Sequence, residues 1–163
     1  MELVKKADKS LTDVFKGAPK LPSNAKETLV KVWPFLALIF GVLQLFVAWG
    51  LYDLTRTVNN VATYFGTVLN VNLGYSGKDK FFIYVGIAVL VVDALILLKA
   101  YPKLVKRQKA GWDLLLLGSL LNVVYSLVNL FIRGRGMGDF FMSLVASVLG
   151  FYLLYQVKEK YTA

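Results

Sequence analysis

The sequence contains neither cysteine nor histidine. These two absences exclude disulfides, thiol nucleophiles, Ser–His and Cys–His relays, zinc sites with sulfur or imidazole ligands and ordinary haem ligation. Charge is also scarce, since Asp, Glu, Lys and Arg make up 18% of the 163 residues, against about a quarter in soluble domains. We therefore predict a protein that is not an enzyme, with no catalytic residues, no metal and no cofactor.

Apolar residues make up 57% of the chain, and they are concentrated in four blocks, 32–52, 81–98, 112–132 and 140–157. Each block approaches the roughly 20 residues that a helix needs to cross a hydrocarbon core of about 30 Å. No lysine or arginine interrupts them, and none has the polar face of a helix in a soluble bundle. The sequence predicts an all-α, polytopic membrane protein with four transmembrane helices in a bundle.

Two domains are predicted, an N-terminal amphipathic helix with its linker over 1–22 and the transmembrane domain over 23–163. Apolar residues between Leu3 and Phe15 recur at helical spacing opposite several lysines. Such a helix either lies in the cytoplasmic membrane interface or docks on a neighbouring subunit. Asn24 and Glu27 have the spacing of a capping box, so we expect the next helix to begin at about residue 25.

Residues 53–80 are predicted to lie outside the membrane, between the first two spans. Apolar residues recur there at spacings of three and four: Leu51, Leu54, Val58, Val61, Phe65 and Val68. The opposite face is polar: Asp53, Arg56, Asn60, Thr63 and Thr67. This pattern predicts an amphipathic helix that either continues from the first span or folds back from it. Since the connection is long, it could cap an opening, lie on the outer leaflet or contact a partner.

Lysine and arginine are distributed unevenly among the connections. Seven lie in the N-terminal region, five in the second connection and two in the tail, against three and two in the remaining connections. The positive-inside rule then places both termini and the 99–111 loop in the cytoplasm. Five residues of that loop are expected to contact anionic lipid headgroups: Lys99, Lys103, Lys106, Arg107 and Lys109. Orientation alone accounts for these charges, so no nucleic-acid partner is predicted.

Polar residues within the spans form the candidate functional site: Asp93, Gln44, Asn122, Asn129, Ser119 and Ser147. The helical rise places several of them near the bilayer midplane, which favours interhelical hydrogen bonds that hold the bundle together. The alternative is a polar pathway or a small ligand site. Asp93 is expected to be a hydrogen-bonded anchor between the second and third spans, with Ser119, Lys99 or Arg107 as its partner, or alternatively a proton or cation site.

Two segments carry a resemblance. The run Tyr101–Leu115 leads from a basic loop into Trp112, and Gly150–Val157 joins a small residue to several aromatic ones. Both segments are similar to those of small four-span bacterial membrane proteins of unassigned function, over roughly residues 30–160. The resemblance implies the bacterial plasma (inner) membrane as the location, and it implies no activity, cofactor or site.

The pattern as a whole favours a structural or assembly protein of the membrane, either homo-oligomeric or a subunit of a larger complex. The amphipathic helix, the long external segment and the small-residue stripes of the spans motivate this prediction. The alternative function is a small channel or transporter whose polar path includes Asp93.

Overall fold

A computed structural model describes the backbone of residues 2–71, 73–133 and 137–162, and the side chains of residues 6–71, 73–127, 141–142 and 144–162. The described part is helical, which agrees with the predicted all-α class. It consists of five α-helices and one short 3-10 helix: α1 (Glu2–Phe15), α2 (Ser23–Leu69), α3 (Gly77–Val105), α4 (Lys109–Arg133), α5 (Met137–Gln156) and the 3-10 helix Lys158–Lys160.

Three of these helices are long and apolar enough to cross a membrane. They are α2, α3 and the stretch Lys109–Leu127 of α4. The chain is therefore an integral membrane protein with transmembrane helices. A shorter apolar stretch of α5, Leu144–Gln156, follows them. The predicted fourth span, 140–157, stays a prediction because it includes residues whose side chains lie outside the described part.

The helix α2 is much longer than the predicted first span. It runs without interruption for 47 residues, which is about 70 Å at 1.5 Å per residue. The amphipathic pattern after residue 53 therefore continues from the first span instead of folding back. The predicted capping box is wrong, because Pro22 occupies the N-cap position and Asn24 lies inside the helix. At the other end, Asn70 adopts a left-handed conformation with φ of 55° and closes the helix.

The predicted 99–111 loop is mostly helical. The helix α3 continues to Val105, and only residues 106–108 separate it from α4. Arg107 has a φ of 54°, and the N–H of Gln108 donates to the carbonyl of Lys103 at 2.8 Å. These are the features of a Schellman motif, with arginine where glycine is usual. The two helices are consequently joined by a tight, hydrogen-bonded turn.

The helices pack in chain order, α2 along α3, α3 along α4 and α4 along α5, while α1 rests on α4 and α5. The buried core lies where α1, the turn 106–108 and the 3-10 helix meet, a region that we call the basic end. It contains Val30, Ala37, Ala100, Leu104, Trp112, Leu115, Leu116, Phe151, Leu154, Val157 and Tyr161. Away from the basic end, large apolar side chains such as Phe46 and Trp49 are exposed, as expected of surfaces that contact lipid or another subunit.

Aromatic and charged contacts hold α1 against its own chain. The ring of Phe15 stacks on Tyr155 of α5 with the centroids 5.5 Å apart. The hydroxyl of Tyr155 donates to the carboxylate of Asp8 at 2.9 Å, and the ammonium of Lys158 lies 2.6 Å from the same carboxylate oxygen. The amphipathic helix of the prediction is thus packed on the ends of α4 and α5.

Candidate functional site

One polar side chain from each of three helices meets where α2, α3 and α4 pack together: Asp93 is buried, Gln44 is half-buried and Asn122 is exposed at the edge of the contact. Asp93 of α3 is only 2% exposed. Its Oδ2 accepts a hydrogen bond from Nε2 of Gln44 on α2 at 2.9 Å and another from Nδ2 of Asn122 on α4 at 3.0 Å. A single carboxylate oxygen therefore links α2, α3 and α4. We call these three residues the Asp93 cluster.

Glycine residues bring the three helices close enough for these hydrogen bonds. A Cβ atom placed on Gly118 of α4 would lie 2.7 Å from Oδ1 of Asp93. Asn122, one turn later, also donates to the carbonyl of Gly118 at 3.1 Å. On α2, a Cβ on Gly41 would lie 3.1 Å from Leu98 of α3. Small residues at such positions allow the backbones of membrane helices to approach each other closely.

Two acceptor atoms of the cluster are left over. Oδ1 of Asp93 and Oε1 of Gln44 are buried, and neither has a hydrogen-bond partner in the described part of the chain. The arrangement is thus an interhelical hydrogen-bonded link that leaves two buried acceptor oxygens without a donor in the described part of the chain.

The other predicted site residues lie elsewhere. Ser119 of α4 is half-buried but is not a donor to Asp93, and Ser147 is half-buried on α5. The side chain of Asn129 lies outside the described residues. Of the partners that we expected for Asp93, Arg107 instead forms an ion pair with Glu27 of α2. The expectation of Ser119, Lys99 or Arg107 as the partner was therefore wrong.

The predicted headgroup contacts all lie at the basic end. Lys99 and Lys103 are on the last turns of α3, Lys106 and Arg107 are in the turn, and Lys109 is the first residue of α4. Lys103 is half-buried and the other four are exposed. Their contact with lipid stays a prediction.

Sequence reasoning missed a second polar arrangement, at the basic end. Trp112 is fully buried, and its Nε1 donates to the carbonyl of Leu154 at 2.9 Å. The ammonium of Lys158 lies 5.1 Å from the centre of the Trp112 ring while it pairs with Asp8. No local spacing could have revealed this contact, because the two members of the ion pair come from opposite ends of the chain.

The chain matches no protein-family model, no curated protein and no solved structure. Its function is therefore inferred from its own residues and their geometry.

Proposed function

We propose that this chain is a structural or assembly component of a membrane, without enzymatic activity, that acts as a homo-oligomer. The proposal includes four spans, both termini in the cytoplasm and the bacterial inner membrane as the location. The distribution of lysine and arginine supports this orientation. The observation that supports oligomer formation is an exposed apolar stripe on α2 after residue 53, which we call the outer part of α2.

The stripe consists of Leu54, Val58, Val61, Phe65 and Val68, at alternating spacings of four and three residues. This is the heptad spacing of a coiled-coil seam. All five side chains are exposed, Val61 by 50% and Phe65 by 52%. The opposite face of the helix is polar, so lipid cannot surround this part of α2 on all sides without burying polar groups.

The outer part of α2 also extends beyond its neighbour in the chain. The rings of Tyr52 on α2 and Tyr84 on α3 lie 6.4 Å apart, and α3 begins at Gly77. Gly77 is seven residues before Tyr84, and the two antiparallel helices have the same rise per residue. The start of α3 therefore lies beside residue 59 or 60 of α2, and α3 does not pack against α2 beyond that point. The apolar side chains beyond that point need another surface to cover them.

A second copy of this chain is the occupant that we propose for the stripe. Copies that share one membrane orientation bring their α2 helices together in parallel, which is the arrangement of a two-stranded coiled coil. The stripe of one copy then packs against the same stripe of the other copy across a two-fold axis. The Asp93 cluster has a supporting role, since it fixes α2, from which the stripe projects, to the rest of the bundle.

Disulfide crosslinking tests this proposal directly. The chain has no native cysteine, so a Val61→Cys variant carries a single thiol within the stripe. Thr63→Cys places an exposed thiol on the polar face of the same turn. Mild oxidation in membranes should produce a covalent dimer from the Val61→Cys variant and little from the Thr63→Cys variant. Equal crosslinking of both variants, or a strictly monomeric mass in mild detergent, would refute the proposal.

A small channel or transporter is the second candidate, and the unpartnered oxygens of Asp93 and Gln44 favour it. In this function Asp93, Gln44 and Asn122 would lie along the path of a proton or a small cation. Flux through liposomes that contain the protein tests it, with Asp93→Asn as the decisive variant. Absence of any flux would exclude this function, while unchanged flux in the variant would exclude Asp93 from the path.

A further inference from the structure

A cavity of about 530 Å³ opens at the basic end and is used by neither proposed function. Five lysines line it: Lys16, Lys20, Lys26, Lys109 and Lys158. They come from the linker after α1, the first turn of α2, the start of α4 and the 3-10 helix. Two acidic residues, Asp13 and Glu159, also line it, so the lining has a formal excess of three positive charges. The size is within the usual range for sites that bind small molecules.

Three of these lysines are not neutralised by a partner. Lys158 pairs with Asp8 at 2.6 Å, and Lys26 lies 3.9 Å from Glu159. Lys16, Lys20 and Lys109 form no ion pair with any residue that the structure describes. Like charges gathered around one concave surface repel each other, and an anion in the cavity would relieve that repulsion.

The wall of the cavity contains an unsatisfied hydrogen-bond donor. Tyr161 is one of the lining residues and is 3% exposed. Its hydroxyl is buried and has no hydrogen-bond partner among the described residues. Burial raises the pKa of Tyr161 to about 12, against a smaller opposing effect of the Arg107 charge. The phenol is therefore protonated at neutral pH, and a small shift of its cover would let an acceptor oxygen in the cavity supply the partner that the buried hydroxyl lacks.

We propose that this cavity binds a phosphate group, carried either by a lipid headgroup or by a soluble phosphate. Lysines from four separate segments line the cavity, and phosphate offers several charged oxygens that can meet them in different directions. The remaining lining includes the rings of Phe15, Trp112 and Tyr155, which suit the apolar part of a headgroup region. Of the five lysine and arginine residues that the sequence predicts to contact headgroups, only Lys109 belongs to this cavity.

Two triple variants with the same change in charge distinguish binding in this cavity from general attraction to the basic surface. The cavity variant carries Lys16→Gln, Lys20→Gln and Lys109→Gln. The control variant carries Lys9→Gln, Lys31→Gln and Lys106→Gln, three exposed lysines that do not line the cavity. The full-length protein in neutral detergent is titrated with phosphatidylglycerol and with phosphatidylcholine, and native mass spectrometry counts the bound lipids. Inorganic phosphate is added separately, as a ligand and as a competitor.

The unchanged protein should bind one phosphatidylglycerol with clear preference over phosphatidylcholine, or bind inorganic phosphate at one site. Since a lysine near an anionic group contributes roughly a fivefold factor, the cavity variant should lose affinity by about 100-fold. The control variant should lose less than about threefold, because its lysines lie outside the cavity and their charge is largely screened. Tyr161→Phe removes one hydrogen bond to a charged group and should weaken binding by about tenfold.

The two probes also identify the source of the phosphate. Displacement of the lipid by inorganic phosphate supports a soluble phosphate as a ligand, and resistance to it supports the lipid headgroup. The proposal is overturned if both triple variants lose affinity by the same factor, if Tyr161→Phe binds like the unchanged protein, or if neither probe occupies a single site. None of these outcomes depends on whether the chain forms oligomers.

Discussion

Replacement of Gly118 by alanine is the sharpest test of the Asp93 cluster. A Cβ on this residue would lie 2.7 Å from Oδ1 of Asp93, whereas ordinary contacts of a Cβ begin at about 3.4 Å. The carboxylate must therefore move by about 0.7 Å. A shift of that size directed away from Gln44 and Asn122 would stretch the hydrogen bonds with them, now 2.9 and 3.0 Å, to at most about 3.6 and 3.7 Å, where they no longer hold.

The cost follows from these two hydrogen bonds and from the added methyl group. Interhelical hydrogen bonds in membranes contribute about 0.6 kcal/mol each on average, and an extra methyl group in a packed interior costs about 1–3 kcal/mol. We therefore expect Gly118→Ala to lower the free energy of unfolding by about 2–4 kcal/mol. Far-UV circular dichroism in mixed micelles, with increasing fractions of sodium dodecyl sulfate, measures this quantity.

Gly150→Ala is the matched control. Gly150 lies within the apolar helix α5, and no heavy atom of the described residues lies within 4 Å of a Cβ placed there. The same chemical change should therefore alter stability by no more than about 0.5 kcal/mol. Equal effects of the two variants would refute the reasoning. As a second check, Asp93→Ala removes the obstructing oxygen, so Gly118→Ala should cost much less in that background.

Three further predictions concern single contacts, each measured by the same unfolding assay. Trp112→Phe should destabilise the protein by about 2 kcal/mol, because it leaves the buried carbonyl of Leu154 without its donor. Gly86→Ala should cost about 1–2 kcal/mol, since the new methyl meets the hydroxyl of Tyr125, and Tyr125→Phe should restore most of that loss. Arg107→Gly should be about 1 kcal/mol more stable than Arg107→Ala, because glycine adopts the φ of 54° at this position without the steric cost that alanine meets there.

Hydropathy predicted where helices lie better than where they end. The apolar run 32–52 is indeed helical, but α2 continues to Leu69. The residues after 52 are amphipathic and contain no proline, so their pattern fits a continued helix as well as a helix that folds back. The continuation agrees with cooperative growth, because adding residues to an existing helix is much easier than starting a new one.

The level of a side chain along its helix was predictable only where the end of the span was placed correctly. The predicted second span ended at residue 98, whereas α3 continues to Val105, and at 1.5 Å per residue those seven residues move Asp93 by about 10 Å along the bundle. For this reason Ser119 was expected at the level of Asp93, whereas Asn122, three residues further along α4, makes the hydrogen bond. The rotation of each helix was not predictable either, because successive residues point about 100° apart around the axis and hydropathy alone does not fix that angle in an apolar helix.

The cavity at the basic end could not be predicted from the sequence, for a different reason. Its lining joins Lys16 and Lys20, near one terminus, to Tyr161, near the other. No periodicity connects positions so far apart, and the excess of positive charge on this side was already accounted for by membrane orientation. These residues line one cavity because α1 packs on α4 and α5.

The three sites lie at different levels along α2, which makes their roles separable. Val61 of the stripe, Gln44 of the Asp93 cluster and Lys26 of the cavity follow each other at intervals that correspond to about 25 Å of helix. Perturbations more than about 10 Å apart, with no shared partner, normally have additive effects. Substitution in the stripe should therefore change self-association and leave phosphate binding intact, while Gly118→Ala should lower stability without changing which surface forms the dimer. Coupling between these sites would instead require α2 to transmit a rotation or a shift along its whole length.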